Sequence, residues 1–245
     1  MRLVELQQAP LEGALNVSPF YALSNETVLG RIPKANPAIF ESLAYEYHSI
    51  GFTGHGGSFR RRSPKEQFAF VNRAASHGLR VLEPGYINAN DHIFFPFLPA
   101  AQTWDNALPA LSDQDAGRLT YELFDDLRRA HSAGIVYGDR WSQNILVDPT
   151  FGILHIDFDL EISGKCAKDF EVAQAVYYTL CAGRERIIPL LKDILLYGDW
   201  FNIFRVDEFV RKHSVFFKKS QKYGSTEVLA SILMDNVLAQ KVYKS

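Results

Sequence analysis

Between Gly134 and Glu161 the chain sets side-chain oxygens on two short apolar runs. Asp139 and Asn144 fall in "GIVYGDRWSQNILV", Asp157 and Asp159 in "ILHIDFDLE", and the turn "DPTFG" joins them. Such groups are hard donors, and Mg2+ is usually held by one or two carboxylates together with phosphate oxygens. Phosphoryl transfer from a nucleotide asks for little more: a carboxylate to orient the attacking hydroxyl, oxygen ligands for the metal and a cation on the phosphates. In that chemistry Asp139 faces an acceptor hydroxyl, and Asn144 and Asp157 hold the metal.

The elements that must position these residues can be read from the flanking sequence. The chain has 245 residues and is 47% hydrophobic, enough for one large domain or two small lobes sharing a cleft. A net charge of -2 gives no global electrostatic case for nucleic acid. Cys166 and Cys181 sit outside any metal spacing, and the start shows no signal-peptide pattern, so they read as reduced thiols of a cytoplasmic protein. No apolar run approaches the roughly 20 residues that span a bilayer.

The first third reads as strands: "RLVELQ", "SPFYAL" and "TVLGRI" are short, apolar and bounded by turn residues. Lys34 to Gly57 is ambiguous. "PAIFESLAYEYHSIGF" fits a short helix, and "GFTGHGG" reads as a mobile insertion that could touch nucleotide or substrate through its glycines. Ser63, Pro64 and Glu66 then form a helix start with a capping box, and Gly78 is the stop. "RVLEPGYI" and "HIFFPFL" read as strands. Beyond Leu98 the pattern turns helical. Ser112 caps a helix whose stripe is Ala116, Leu119, Leu123, Leu127 and Ala130, and Gly134 ends it. Helix continues after the motif strands to the end of the chain. The expected class is α+β, with a β-rich N-terminal lobe over residues 1–98 and a helical C-terminal lobe over 99–245. The run Arg60, Arg61, Arg62 and the basic segment Arg211, Lys212, Lys218, Lys219 and Lys222 read as solvated faces, open also to a phosphate-rich partner.

The central motifs resemble the protein-kinase-like superfamily. "HSAGIVYGDRWSQNILVD" looks like its catalytic loop, an Asp-x-x-x-x-Asn core after a helix ending in His-x-x-Gly, and "ILHIDFDLE" is similar to its metal-binding Asp-Phe-Gly segment. The closest flavour is the atypical branch: RIO kinases, the small kinase of the KEOPS complex, lipopolysaccharide sugar kinases and aminoglycoside phosphotransferases. The resemblance implies a bilobal kinase-like fold using ATP and Mg2+, with no long activation segment, because Asp157 and Asp169 lie too close together. It implies Asp139 as the catalytic carboxylate, Asn144 and Asp157 as metal ligands, and Asp159, where glycine is usual, as a further candidate ligand.

By the same resemblance the phosphate-binding cation is Lys34, on residue type, or Arg31, on strand alternation. Glu66 matches the glutamate that pairs with that cation, although the capping box also explains it. Phe95 is the gatekeeper, and adenine reads the Pro96 C=O and the Leu98 N–H, with Ile156 closing the far side. Asp169 matches the aspartate that braces the catalytic loop. The acceptor is an alcohol, on a protein Ser/Thr in preference, or on a small molecule or lipopolysaccharide sugar. A nucleotide-binding pseudokinase is the rival, because Gly13 is the only glycine placed to form a phosphate loop.

Overall fold

A computed structural model of the protein describes residues 3–12, 16–24, 26–34, 37–220 and 226–242. The N-terminal part contributes strands β1 (Leu3–Glu5), β2 (Leu11–Glu12), β3 (Asn16–Ser18), β4 (Phe20–Leu23) and β5 (Glu26–Pro33), helix α1 (Pro37–Ser49), strand β6 (Ser58–Arg61), helix α2 (Pro64–Ser76) and strands β7 (Tyr86–Ile87) and β8 (Ile93–Pro96). After β9 (Gln102–Thr103) come α3 (Trp104–Ala107) and α4 (Asp113–Ser132), then β10 (Ile145–Asp148), β11 (Gly152–His155) and β12 (Leu160–Ser163). The chain closes with α5 (Ala167–Gly183), α6 (Ile188–Tyr197), α7 (Ile203–Phe216) and α8 (Thr226–Val242). The class is α+β, as the sequence indicated.

Strand β5 organises the largest sheet. β3 and β4 both pair with it antiparallel, interrupted by Pro19, whose carbonyl still accepts from Gly30 N–H at 3.0 Å. β8 pairs with β5 too, with Leu29 opposite Phe95 and Arg31 opposite Ile93. Side chains alternate along a strand, so Leu29 and Arg31 share one face, while Val28 and Gly30 are buried on the other. A three-stranded sheet, β11-β10-β9, carries Asn144 at one end of β10 and Ile156 just past β11. A two-stranded ribbon pairs β12 with β6, Leu160 opposite Arg61.

Local signals explain the helices. Ser63 accepts from Glu66 N–H while Glu66 accepts from Ser63 N–H, a full capping box at the start of α2. Ser112 caps α4 through Asp115 N–H, and the predicted stripe of Ala116, Leu119, Leu123, Leu127 and Ala130 is buried. α5 is buried on every side over most of its length, which makes it the central helix of the C-terminal part. Among the described residues no helix is long and apolar enough to cross a membrane.

The ambiguous region resolves as helix α1, and the expectation of a mobile "GFTGHGG" insertion is corrected. Tyr47, Ile50 and Phe52 are fully buried. The Phe52 ring lies 4.4 Å from that of Phe170 on α5, and Tyr47 lies 5.1 Å from the same ring. His55 contacts Glu208 on α7 at 2.9 Å. The aromatic residues on either side of the glycines anchor the segment to the helical part. Phe52→Ala should therefore cost about 3–5 kcal/mol, the range for deleting a core aromatic ring, measured by urea unfolding. A loss below about 0.5 kcal/mol, as at a surface site, would return this segment to the status of a loop.

Candidate functional site

The loop between α4 and β10 carries Asp139, and a set of buried polar contacts fixes its backbone. Gly138 has φ +113°, and a Cβ there would stand 2.1 Å from the Leu160 carbonyl oxygen, so only glycine fits. Gly138 N–H donates to Glu171 at 2.8 Å and Arg140 N–H donates to Gln174 at 3.2 Å. Glu171 and Gln174 sit three residues apart on α5 and so face the same way. Gln174 also donates to the Asp139 carboxylate at 3.1 Å. The sequence expectation for Asp169 is corrected here. Its carboxylate accepts from Asn202 N–H at 2.8 Å and from Arg205 at 2.5 Å, tying α5 to α7. One half-turn of helix separates it from the face that meets the loop, so the bracing falls to Glu171 and Gln174.

Two buried arginines join this loop to the segment of Asp157. Arg140 donates to the carbonyls of Asn144, Ile156 and Asp157 at 3.3–3.4 Å and approaches Glu171 at 4.0 Å. Arg62 donates to the carbonyls of Tyr137, Phe158 and Leu160 at 3.0–3.4 Å and lies over the Phe70 ring. Burial lowers its pKa to about 10. Arg62, expected on a solvated face, is thus an internal staple. Tyr137 donates to Asp126 at 2.5 Å and stacks on His155, and His131 meets Glu171 at 2.6 Å.

On this scaffold Asp139, Asn144, Asp157, Asp159 and Arg31 line one cleft of about 840 Å3. Asn144 Nδ2 donates to the Asp139 carbonyl at 3.0 Å, which couples the two motif residues. Asp157 has φ +60°, an uncommon value for a residue with a side chain. The Arg31 guanidinium pairs with Asp157 and lies 3.5 Å from Asp159, which also accepts from Asn16 Nδ2 at 3.1 Å. Strand parity points Arg31 at the cleft beside Leu29. Lys34 follows the end of β5, does not line the cleft, and gives its carbonyl to Arg61 at 3.0 Å. Of the two candidates, Arg31 is the one that lines the cleft. Glu66 does not line the cleft either: Ser63 N–H and Arg60 hold it at the mouth of α2, with its pKa lowered to about 2.

Phe95, Pro96, Leu98, Leu29 and Ile156 form the apolar end of the cleft. Leu98 lies beyond β8, and its N–H meets no backbone acceptor among the described residues, whereas Phe97 N–H donates to Thr27. Trp141 also lines the cleft and stacks on Tyr178. α1 supplies a wall that the motif reading did not include, with Glu46 facing the cleft. Gly13 lies outside the described residues. The basic C-terminal segment is largely charge-matched: Arg211 pairs with Asp207 and Asp235, Lys212 with Glu208, and Lys218 with Glu227. Lys222 lies outside the described residues.

Four carboxyl groups in one cleft cannot all ionise at ordinary pKa values. Burial, reinforced by the charge of Glu46, pushes Asp139 well above the carboxylate range. Burial lifts Glu46 to about 7. For Asp157 burial also acts upward, but the Arg31 charge and a hydrogen bond shared with Asp159 hold it at about 2. Burial and the Asp157 charge raise Asp159 to about 7. Among the described residues no three His, Cys, Asp or Glu side chains converge as a metal cage. Asn144, Asp157 and Asp159 nonetheless offer a hard oxygen set of the size Mg2+ uses when phosphates complete its shell.

No protein-family model matches this chain, and none of the curated proteins matches it.

The raised pKa of Asp159 has a definite sign in stability. The folded state binds that proton more tightly than the unfolded chain, so its contribution is fully present below pH 4 and is lost as pH rises through about 7. Glu46 acts in the same direction. Thermal unfolding between pH 5 and 8 should show these two carboxyls lowering stability as pH rises, at up to about 1.4 kcal/mol per unit for each, against the opposite slope of His155 and His213, which burial keeps neutral. Asp159→Asn should remove its own share of that fall. A variant profile parallel to the wild type across this range would refute the shared-proton picture.

Proposed function

We propose that the protein is an ATP- and Mg2+-dependent phosphotransferase of the protein-kinase-like superfamily, with residues 1–98 and 99–245 as its two lobes. It transfers the γ-phosphate to an alcohol. The observation that carries this reading is the meeting of Asp139, Asn144, Asp157 and Arg31 on one cleft, with the Asn144 amide donating to the Asp139 carbonyl. The order and spacing of those residues support it independently.

In this reading adenine lies against Leu29, Phe95 and Ile156 and takes the Leu98 N–H and the Pro96 carbonyl. Asn144 and Asp157, with Asp159 beside them, hold Mg2+, which when bound neutralises phosphate charge. Arg31, on the same cleft, would be the cation for the phosphates, with the metal taking over the charge of Asp157 and Asp159. Asp139 orients the acceptor hydroxyl and receives its proton. The acceptor oxygen then bonds to the γ-phosphorus, the bond from that phosphorus to the β–γ bridging oxygen breaks, and ADP leaves. Burial strengthens the hold of Asp139 on the proton it receives.

A second reading, a nucleotide-binding module without transfer, is favoured by one observation: Arg31 already neutralises the two carboxylates that would hold the metal. Two variants separate the readings. Asp157→Ala should abolish the Mg2+-dependent part of the thermal shift produced by ATP. Asp139→Asn should keep that shift and lower ADP formation by about two to four orders of magnitude, the span of positioned acid–base catalysis. ATP binding with no ADP formed by the wild type favours the second reading. Unchanged turnover in Asp139→Asn removes this residue from the chemistry.

A further inference from the structure

Helix α1 enters the cleft as a wall of its own. Ile39, Ser42, Leu43 and Glu46 line it at spacings of three and four, so they lie on one face of the helix. The next residue, Tyr47, points away and packs on Phe52, Phe59 and Phe170, while Tyr45 contacts Phe216 on α7. The wall is thereby fastened to the helical part on the side of the cleft that holds Asp139.

Glu46 is the polar member of that face, and it is only 7% exposed. Its Oε1 is fully buried and has no hydrogen-bond partner among the described residues. A buried carboxyl oxygen left without a donor is costly, and in a native structure it calls for a reason. Asp139 is near enough for the Glu46 charge to raise its pKa. Arg31, the cation of the cleft, is occupied by Asp157 and Asp159. Glu46 therefore stands ready for a donor that arrives with a ligand.

We propose that this face of α1 is the acceptor subsite, and that Glu46 accepts a hydrogen bond from a second donor group on a small hydroxylated acceptor whose reacting hydroxyl lies on Asp139. The inference rests on the phosphotransfer reading and narrows it from any alcohol to a compact molecule. That second donor is a neighbouring hydroxyl or an ammonium group. A lone serine or threonine side chain offers no such group beside its hydroxyl. The size of the cleft agrees, since about 840 Å3 falls within the range of small-molecule sites. A nucleotide along Leu29, Phe95 and Leu98 would leave room beside Asp139 for a compact acceptor.

Thermal unfolding of the full chain with Mg2+ and ADP tests this, using four added probes: glycerol, 2-amino-1,3-propanediol, 1-propanol and a short serine peptide. The readout is the difference between wild type and Glu46→Gln, which cancels general effects of polyols on folding. Glycerol or the amino diol should raise the wild-type midpoint by about 2–4 °C more than that of the variant, the shift that saturating a weak site gives in a chain of this size. A shift with both probes identifies a hydroxyl as the second donor. A shift with the amino diol alone identifies an ammonium. 1-Propanol should give none, and Glu46→Asp should recover part of the effect, which also shows that the site tolerates substitution. Equal shifts in wild type and Glu46→Gln, no shift with either diol, or a shift with the peptide alone would overturn the proposal. If Mg2+ and ADP themselves fail to raise the wild-type midpoint, the nucleotide reading falls and the subsite with it. A nucleotide shift without a diol shift removes only the subsite.

Discussion

A carboxylate buried in the middle of the central helix constrains the rest of the structure. Glu171 is fully buried on α5, and an uncompensated charge there would cost several kcal/mol. Its oxygens are met by Gly138 N–H and by His131, with Arg140 4.0 Å away. Those partners lie at the end of α4 and in the loop that follows, so satisfying Glu171 fixes the loop backbone. Arg140, itself fully buried, must then spend its donors nearby, and it does so on the carbonyls of Asn144, Ile156 and Asp157. One buried charge thus sets the loop of Asp139, and its neighbour sets the segment of Asp157. The positive φ of Gly138 and its contact with Leu160 follow from the same tight apposition.

The cleft built on this frame is strongly acidic at one end and apolar at the other. Asp139, Glu46, Asp157 and Asp159 share it with Arg31 as the cation that pairs with two of them. Pairing explains why Asp157 stays ionised while its neighbours hold protons more tightly. It also implies competition. A divalent cation bound there in the proposed function would compete with Arg31 for Asp157 and Asp159. Within the proposed function, metal entry and phosphate binding are coupled through a single side chain on β5, and Asn16 on β3 reports on the same cluster through Asp159.

Much of the fold was legible because its signals are local. The Ser63 and Ser112 caps, the stop at Gly78 and the α4 stripe each depend on a few adjacent residues. The grouping of Asp139, Asn144 and Asp157 was legible from spacing. Where the reading went wrong, the deciding contact was distant in sequence. Pro33 ends β5 before Lys34, so parity favours Arg31, but only the β5–β8 register shows which face meets the cleft. Asp169, Glu171 and Gln174 all sit on one helix, and the choice among them depends on where α7 and the loop pack against it. Arg62 looked like the third of three solvated arginines. Its burial depends on Phe70 and on three carbonyls that arrive from residues 137–160.

Glu46 was not singled out in the sequence, and its case shows what a helical pattern conceals. On sequence alone, a glutamate between two tyrosines on a short helix reads as a solvent-facing residue. Burial here comes from the Tyr47, Phe52 and Phe170 cluster, which rotates α1 so that its next residue on either side must face solvent or the cleft. His48 takes the solvent side and is exposed, whereas Glu46 takes the cleft side and is buried. An apolar residue at 46 would satisfy the packing at lower cost, since it carries no polar oxygen to desolvate. The carboxyl is therefore not explained by the fold that holds it, in contrast to Glu171, whose oxygens are both in use. Between two buried glutamates on neighbouring helices, one is a structural tie and the other remains available for a donor from outside the chain.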